Sequence, residues 1–171
     1  MAHCQQTKFS QLKVNVITVS DSRDLESDAS GKLISELVAA VGHKVLAREV
    51  VADNIDDIRN AVRSALEQQD AGAIIINGGT GVTPRDQTPE AVEPMFDKPL
   101  PGFGELFRHL SFTEIGTATI QSRATAGLIN RTVVFSLPGS TKACRLAVEK
   151  IILPQLDSRT KPCSFAALLS L

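Results

Sequence analysis

The fold is decided by residues 73–91, which read AIIINGGTGVTPRDQTPEA. The three isoleucines at 74–76 are typical of a strand that is buried on both faces. Three glycines within 78–81 allow the backbone to turn sharply and to bring amide N–H groups close to a ligand. The Thr-Pro-Glu sequence at 88–90 then favours a helix start. A strand, a glycine loop and a helix start in this order predict a phosphate-binding edge.

The segments around this stretch alternate between apolar runs that are typical of strands and apolar stripes at the spacing of a helix. Apolar segments typical of strands occur at 14–19, 45–51 and 132–136, and helical stripes lie at 33–41 and 55–66. The order strand, helix, strand, helix, strand is the pattern of a parallel sheet covered by helices, so the sequence predicts an α/β fold.

The remaining segments give weaker predictions. Residues 1–12 are expected to form a flexible N-terminal arm, and residues 13–171 a single domain. The Pro- and Gly-rich residues 94–104 predict a long loop followed by a short helix at 105–112. The pattern of residues 117–123 favours no single structure. The apolar tail at 163–171 predicts packing on the body or on another subunit.

Composition argues against several classes of protein. The net charge of −1 and the absence of Trp and Tyr disfavour nucleic-acid binding, which needs a basic face and stacking platforms. No apolar run approaches the roughly 20 residues that span a membrane, and the polar N-terminus lacks the core of a signal peptide. These features predict a cytoplasmic protein without a membrane partner. Cys4, Cys144 and Cys163 have neither metal-ligand spacing nor a disulfide pattern.

Three predicted strands end in polar or glycine-rich turns, at 20–22, 78–81 and 137–140. If these strands are parallel neighbours, the turns meet outside the carboxyl ends of the sheet, where open α/β sheets bind ligands. A helix that starts after Gly139 and Ser140 would present free N–H groups to an anion. The alternative is that Pro138 and Gly139 form only a tight turn.

Two aspartates give the glycine loop a possible chemistry. The loop lacks the spacing of a dinucleotide fold and the Lys of a P-loop, so alone it is a weak signal. Asp86 follows it closely, and a carboxylate beside phosphates requires a cation, most naturally Mg²⁺. Asp53, at the end of a neighbouring strand, is a candidate second carboxylate. A helix cap for Asp53 and a solvated turn acid for Asp86 remain open alternatives.

Three motifs in order, GGTG-x-T-x-RD-x-TPEA, PGFGE and LPGS, resemble the MoaB/MogA family of molybdenum cofactor biosynthesis proteins. The resemblance extends over residues 13–165. It implies a three-layer αβα domain with a mostly parallel sheet that binds molybdopterin and forms homotrimers or homohexamers. It also implies other molybdenum cofactor biosynthesis proteins as partners. Some family members transfer an adenylyl group from Mg·ATP to molybdopterin and release pyrophosphate.

The resemblance assigns roles to individual positions. Asp53 and Asp86 match the two acids that serve the reaction and its Mg²⁺. The positions that match substrate or nucleotide contacts are Ser20, Asp21, Gly78, Gly79, Thr80, Gly81, Glu105, Ser122, Arg123, Gly139 and Ser140. In the mechanism that we infer from these positions, the amides of the glycine loop together with Arg85 or Arg123 would stabilise the developing charge.

The sequence therefore predicts a molybdopterin adenylyltransferase with ATP as co-substrate. Thr141 departs from the family pattern, because many active members have Pro at this position, and this places the chain nearer the MoaB branch. The rival hypothesis is a non-catalytic molybdopterin carrier of the same pathway. An unrelated Rossmann domain is disfavoured by the missing G-x-G-x-x-G sequence.

Overall fold

The computed structural model describes residues 8–68 and 71–169. Six strands and seven α-helices lie within these residues: β1 Lys13–Val19, α1 Ala29–Ala40, β2 Lys44–Val51, α2 Ile55–Glu67, β3 Ala71–Asn77, α3 Thr88–Val92, β4 Lys98–Pro99, α4 Pro101–Ile115, β5 Thr125–Ile129, β6 Thr132–Leu137, α5 Thr141–Ala147, α6 Leu153–Leu156 and α7 Phe165–Leu169. Short 3₁₀ segments occupy Glu93–Met95 and Gly116–Gln121, and a π-helical turn, Val148–Ile152, joins α5 to α6.

The strands form one mixed sheet in the order β2-β1-β3-β6-β5-β4. The four strands β2, β1, β3 and β6 are parallel neighbours, and β5 runs antiparallel to both β6 and β4. The predicted α/β class and the mostly parallel sheet are confirmed.

Helices cover both faces of the sheet, because strand side chains alternate between two cores. Ile75 faces a core that includes Ile34 of α1 and Phe107 of α4. Ile74 and Ile76 face the opposite core, which includes Ile58 and Val62 of α2. The predicted three layers are therefore present, with β3 buried on both sides.

The segment between α3 and β6 is more regular than the sequence predicted. The expected loop at 94–104 contains strand β4 and the first turn of α4, and the expected helix at 105–112 is the middle of α4. Gly102 and Gly104 weaken the helical pattern, but burial of Phe103 and Phe107 in the core outweighs this propensity. The undecided residues 117–123 are mostly 3₁₀ helix, and β5 was not predicted.

The two ends of the described chain pack on the body. Residues 1–7 of the expected arm 1–12 lie outside the described residues, while the Ser10 N–H donates to Ser158 Oγ at 2.9 Å. The ring of Phe165 in the apolar tail lies 6.2 Å from that of Phe135, so the tail packs on the body rather than projecting from it. Within the described ranges, every helix is too short or too polar to cross a lipid bilayer.

Candidate ligand site at the carboxyl edge of the sheet

The three predicted polar turns lie together at one edge of the sheet. The strands β1, β3 and β6 are adjacent and parallel, so their carboxyl ends meet. The Gly78 N–H donates to Leu137 O at 3.0 Å, and this bond ties the first glycine of the loop to the neighbouring turn. A cavity of about 510 Å³ opens here and is lined by all three turns together with residues of α4. Its position is the one expected for a ligand site in an α/β sheet.

The glycine loop has a conformation that few other residues could adopt. Gly78 and Gly79 both have positive φ, at 100° and 61°. The Thr88 N–H donates to Gly79 O at 2.9 Å, and its hydroxyl donates to Gly78 O at the same distance. The loop carbonyls are thus held by the start of α3. The amide N–H groups of Gly79 and Thr80 donate to no acceptor in the described part of the chain, so they remain available to an anion.

Both candidate acids lie against this loop. An ideal Cβ placed on Gly79 would lie 2.8 Å from Asp53 Oδ2, and one placed on Gly81 would lie 2.8 Å from Asp86 Oδ2. The two carboxylates and the loop therefore share one edge of the sheet.

The helix-cap alternative for Asp53 is wrong, because the neighbouring Asn54 caps α2 through a 2.9 Å bond from Asp57 N–H. Asp53 Oδ1 instead accepts the Gln87 N–H at 3.1 Å. Burial raises the pKa of the Asp53 carboxyl, and the negative charges of Asp86 and Asp21 raise it further.

Asp86 is a turn acid and a cavity residue at the same time. Its Oδ2 accepts the N–H and the hydroxyl of Thr83, at 3.0 and 2.5 Å. The Thr83 hydroxyl is the main reason that the pKa of Asp86 is lowered. The hydrogen bonds of this turn favour the ionised carboxylate, and Asp86 lines the cavity.

The donor set fits a magnesium ion that is shared with a substrate. In residues 8–68 and 71–169 no group of three or more His, Cys, Asp or Glu side chains is arranged to hold a metal ion alone. Mg²⁺ commonly takes one or two carboxylates and completes its shell with water and substrate phosphates. Asp53 and Asp86 provide two carboxylates beside the unused amides of the loop, and their mutual repulsion favours a cation between them.

Asp21 and Arg85 form the outer rim of the site. Asp21 Oδ1 accepts the Asp53 N–H at 2.9 Å, and its Oδ2 pairs with Arg85 at 2.8 Å. The hydrogen bond from Arg85 lowers the pKa of Asp21. The Arg85 side chain is 78% exposed, so it can reach toward solvent or a ligand. Ser20 lines the cavity beside this rim.

The turn at Gly139 and Ser140 is more than a tight turn. Ser140 caps α5 and accepts the Ala143 N–H at 3.2 Å. The Ser30 hydroxyl donates to Gly139 O at 2.8 Å, and a Cβ on Gly139 would lie 3.1 Å from Gly78 Cα. The two glycine turns are therefore in contact across the cavity floor.

Three predicted residues lie toward a second cavity of about 600 Å³. Glu105 and Arg123 line this second cavity and not the first, whereas Ser122 lines both. Nine of the thirteen predicted positions therefore line the first cavity, Asp21 and Asp53 lie beside it, and Glu105 and Arg123 line only the second cavity. The guanidinium of Arg123 points at the backbone of the glycine loop, where it donates to Gly81 O at 2.7 Å.

A buried polar network beneath the cavity was not predicted. Asp28 caps α1, is 1% exposed, and pairs with Arg48 at 3.1 Å. The Thr18 hydroxyl donates to Asp28 Oδ2 at 2.9 Å, so Thr18 must accept the hydrogen bond from the Asn77 amide at 2.8 Å.

This network fixes the orientation of Asn77, which lines the cavity and whose Oδ1 receives no hydrogen bond from the described residues. The sequence signal for the network was an Asp directly before a helical stripe, which is typical of a cap.

Comparisons with known proteins agree with this fold and site. Residues 15–158 match the family model described as Probable molybdopterin binding domain. The chain is 48% identical over 159 residues to Molybdenum cofactor biosynthesis protein B of Escherichia coli (strain K12), covering 93% of this chain and 94% of that protein. It is 49% identical over 146 residues to the protein of the same name from Bacillus subtilis (strain 168), covering 85% and 86%.

A crystal structure of Molybdenum cofactor biosynthesis protein B superposes with a TM-score of 0.84 at 46% identity, covering 89% of this chain and 94% of that one. Family match, sequence identity and fold agree over nearly the whole chain. The chain therefore belongs to the MoaB/MogA family of molybdenum cofactor biosynthesis proteins and carries its molybdopterin-binding domain.

Proposed function

We propose that the protein is an enzyme of molybdenum cofactor biosynthesis that adenylylates molybdopterin with Mg·ATP. The observation that carries this proposal is the contact of both Asp53 and Asp86 with the glycine loop whose amides at Gly79 and Thr80 are unused. Free amides suit phosphate oxygens, and two adjacent carboxylates suit the cation that accompanies a triphosphate.

The reaction is a displacement at phosphorus. An oxygen of the molybdopterin phosphate forms a bond to the α-phosphorus of ATP, the bond from that phosphorus to the β-phosphate oxygen breaks, and pyrophosphate leaves. Asp53 and Asp86 would hold Mg²⁺, which when bound neutralises charge on the leaving pyrophosphate. The amides of the glycine loop bind and orient phosphate oxygens, and the exposed Arg85 adds positive charge at the rim. The turn at Gly139 and Ser140 would contact the pterin.

The first test is pyrophosphate release from Mg·ATP in the presence of molybdopterin. Wild-type protein should release pyrophosphate, and Asp86→Asn should lower turnover by about 10²–10³-fold, the usual loss for one electrostatic contact to a transition state. Asp56→Asn, which removes an exposed acid in the first turn of α2, serves as the matched control and should be unchanged. Full turnover in Asp86→Asn would remove this residue from the mechanism.

One residue favours a second function, that of a non-catalytic molybdopterin carrier. Thr141 follows Ser140 where many active relatives have Pro, and it begins α5 beside the cavity. A carrier would bind molybdopterin through the same turns but would release no pyrophosphate at any ATP concentration. Binding of molybdopterin without pyrophosphate release would establish this alternative.

We also propose that the protein acts as a homo-oligomer in the cytoplasm. Among the described residues, seven large hydrophobic side chains are exposed, and four of them, Leu106, Phe112, Ile115 and Ile120, fall within residues 106–120. Ile120 is 80% exposed, so replacing it should disturb contacts between subunits and not the fold. Ile120→Asp should therefore reduce the mass of the assembly measured by light scattering without lowering the helical signal in circular dichroism. An unchanged mass would exclude this segment from the interface.

Cys144 and Cys163 are free thiols, which suits a reducing compartment such as the cytoplasm.

A further inference from the structure

Arg123 contacts the backbone of the glycine loop, and of the turn that follows it, at several points. Its backbone N–H donates to Thr80 O at 3.1 Å. Its guanidinium donates to Gly81 O at 2.7 Å and to Asp86 O at 2.8 Å, and its third side is paired with the Glu90 carboxylate. Three carbonyl groups of one loop are thus bound by a single residue.

We infer that Arg123 is a positioning residue that orients the two acids of the site through the peptide units of the loop, and that it does not contact the substrate. This inference rests on the proposed function for its consequence in catalysis. Its structural part concerns the ligand-free protein and can be tested separately.

The peptide geometry explains how this positioning works. In a trans peptide unit the C=O and the N–H point in opposite directions, so a residue that fixes the carbonyl also fixes the amide on the other side. Asp86 O accepts from Arg123, and the Gln87 N–H of the same peptide unit donates to Asp53 Oδ1 at 3.1 Å. Arg123 therefore acts on Asp53 through one peptide plane.

A second peptide plane leads to the other acid. Thr80 O accepts the backbone N–H of Arg123. Gly81, which supplies the N–H of that unit, lies against the Asp86 carboxylate, since a Cβ on Gly81 would be 2.8 Å from Asp86 Oδ2. The pKa of Asp86 is lowered first by the Thr83 hydroxyl, and the Gly81 N–H contributes to the same shift. Arg123 thus holds the opposite side of the peptide unit that donates to Asp53 and of the peptide unit that lies against Asp86.

Direct contact with a phosphate would conflict with these bonds. The planar guanidinium donates in fixed directions, and its Nε and both terminal nitrogens already face protein acceptors. Arg123 also lines the second cavity and not the first. Arg85, on the rim of the first cavity, is 78% exposed and remains able to reach a ligand, and Arg23 lines that cavity.

The experiment compares Arg123→Lys with Arg59→Lys. Lysine keeps the positive charge but loses the forked donor geometry. Arg59 is a matched control because its guanidinium also binds two backbone carbonyls, those of Ala91 at 3.0 Å and Glu90 at 3.2 Å, but in α3 beyond the loop. Amide hydrogen exchange of residues 79–87 is measured without ligand, with β3 amides as the internal reference for folding. Affinity for Mg·ATP is measured by calorimetry.

We expect Arg123→Lys to speed exchange of the hydrogen-bonded amides within residues 79–87, those of Thr83, Asp86 and Gln87, and to weaken Mg·ATP binding. Each change should be about tenfold, the effect of losing one to two net hydrogen bonds. Arg59→Lys should change neither quantity. Weaker ATP binding with unchanged loop exchange would mean that Arg123 contacts the substrate directly, and no change in either would mean that it has no positioning role. Both results overturn the inference.

A measurement on the wild-type protein covers the case in which Arg123→Lys does not fold. The Nε–H of Arg123 should be protected from solvent exchange in NMR spectra without ligand and equally with saturating Mg·ATP. Protection that appears only with Mg·ATP would overturn the inference. Absence of ATP binding by wild-type protein would refute the proposed function, whereas the ligand-free exchange data would still decide the role of Arg123.

Discussion

Gly79 shows how a single position can combine two requirements. Its φ of 61° lies in the left-handed region, and a Cβ there would approach both the Asp53 carboxylate and the Thr88 hydroxyl. The first requirement is conformational and the second is steric. Any side chain at this position therefore disturbs the loop and one acid of the proposed site together.

Gly79→Ala should weaken Mg·ATP binding by at least about tenfold, because the loop must shift by more than a hydrogen bond can tolerate. Isothermal calorimetry measures the affinity. The control is Gly102→Ala in α4, where a Cβ would meet no atom within 4 Å and where alanine favours the helix. Gly102→Ala should bind Mg·ATP as the wild type does. Normal affinity in Gly79→Ala would show that the loop does not bind phosphate.

Single residues also mark the limit of sequence interpretation. The contact of Asp86 with the glycine loop was predicted because both belong to one short segment. For Asp53 the sequence left both a helix cap and a ligand open, and the structure excludes the cap because Asn54 caps α2 and Asp53 Oδ1 accepts the Gln87 N–H. Spacing along the chain identifies which residues can meet locally, but it does not tell which oxygen faces which donor.

Among the elements, α1 supports the site from below. Its predicted apolar stripe is present, with Ile34 and Val38 fully buried. Its first turn carries the unpredicted part, since Asp28 caps the helix and Ser30 donates to Gly139 O. The spacing of its apolar residues predicted that helix α1 is present. Strand β5 was missed because its sequence, TAGLI, has only five residues and contains a glycine.

Asp28→Ala should lower the free energy of unfolding by on the order of 3 kcal/mol, because it removes a cap and leaves the Arg48 charge without its buried partner. Urea denaturation measures the loss. Asn54→Ala is the matched control, since it removes a cap of α2 without a buried ion pair and should cost about 1 kcal/mol. Equal losses in the two variants would show that the network around Asp28 adds nothing beyond capping.

At the scale of the whole molecule, the order of elements predicted the architecture but not its long-range contacts. A parallel sheet requires helices on both faces, so three layers followed from the alternation of strands and helices. The pairing of β3 with β6 joins segments about 60 residues apart, as in the bond from Thr132 Oγ1 to Ala71 O. Glu105 lies on α4 and lines the second cavity, a placement that local sequence patterns do not encode.

The early and late parts of the described chain meet around His43. His43 is 4% exposed, its Nδ1 accepts the Leu12 N–H at 3.1 Å, and its ring lies 5.0 Å from that of Phe9. The Ser158 hydroxyl donates to Lys8 O at 2.7 Å in the same region. Since Nδ1 is an acceptor, the neutral form of the imidazole is required here.

This junction predicts a pH dependence of stability. Burial lowers the pKa of His43 below its usual 6.5, and the nearby Asp157 carboxylate opposes this shift. The unfolded chain therefore binds a proton that the folded chain does not, in the window between the lowered pKa and 6.5. Stability rises with pH across this window and is lost as the pH falls below 6.5, by at most about 1.4 kcal/mol per pH unit.

Urea denaturation of wild-type protein and of His43→Gln between pH 7.5 and 5.5 measures this dependence. The free energy of unfolding of the wild type should fall on acidification. His43→Gln should show a smaller slope of this free energy against pH, because glutamine does not titrate. His109→Gln is the matched control, since His109 is exposed on α4 and its replacement should leave the slope unchanged. Equal slopes for wild type and His43→Gln would show that the neutral imidazole at this junction does not link the chain ends to the stability of the domain.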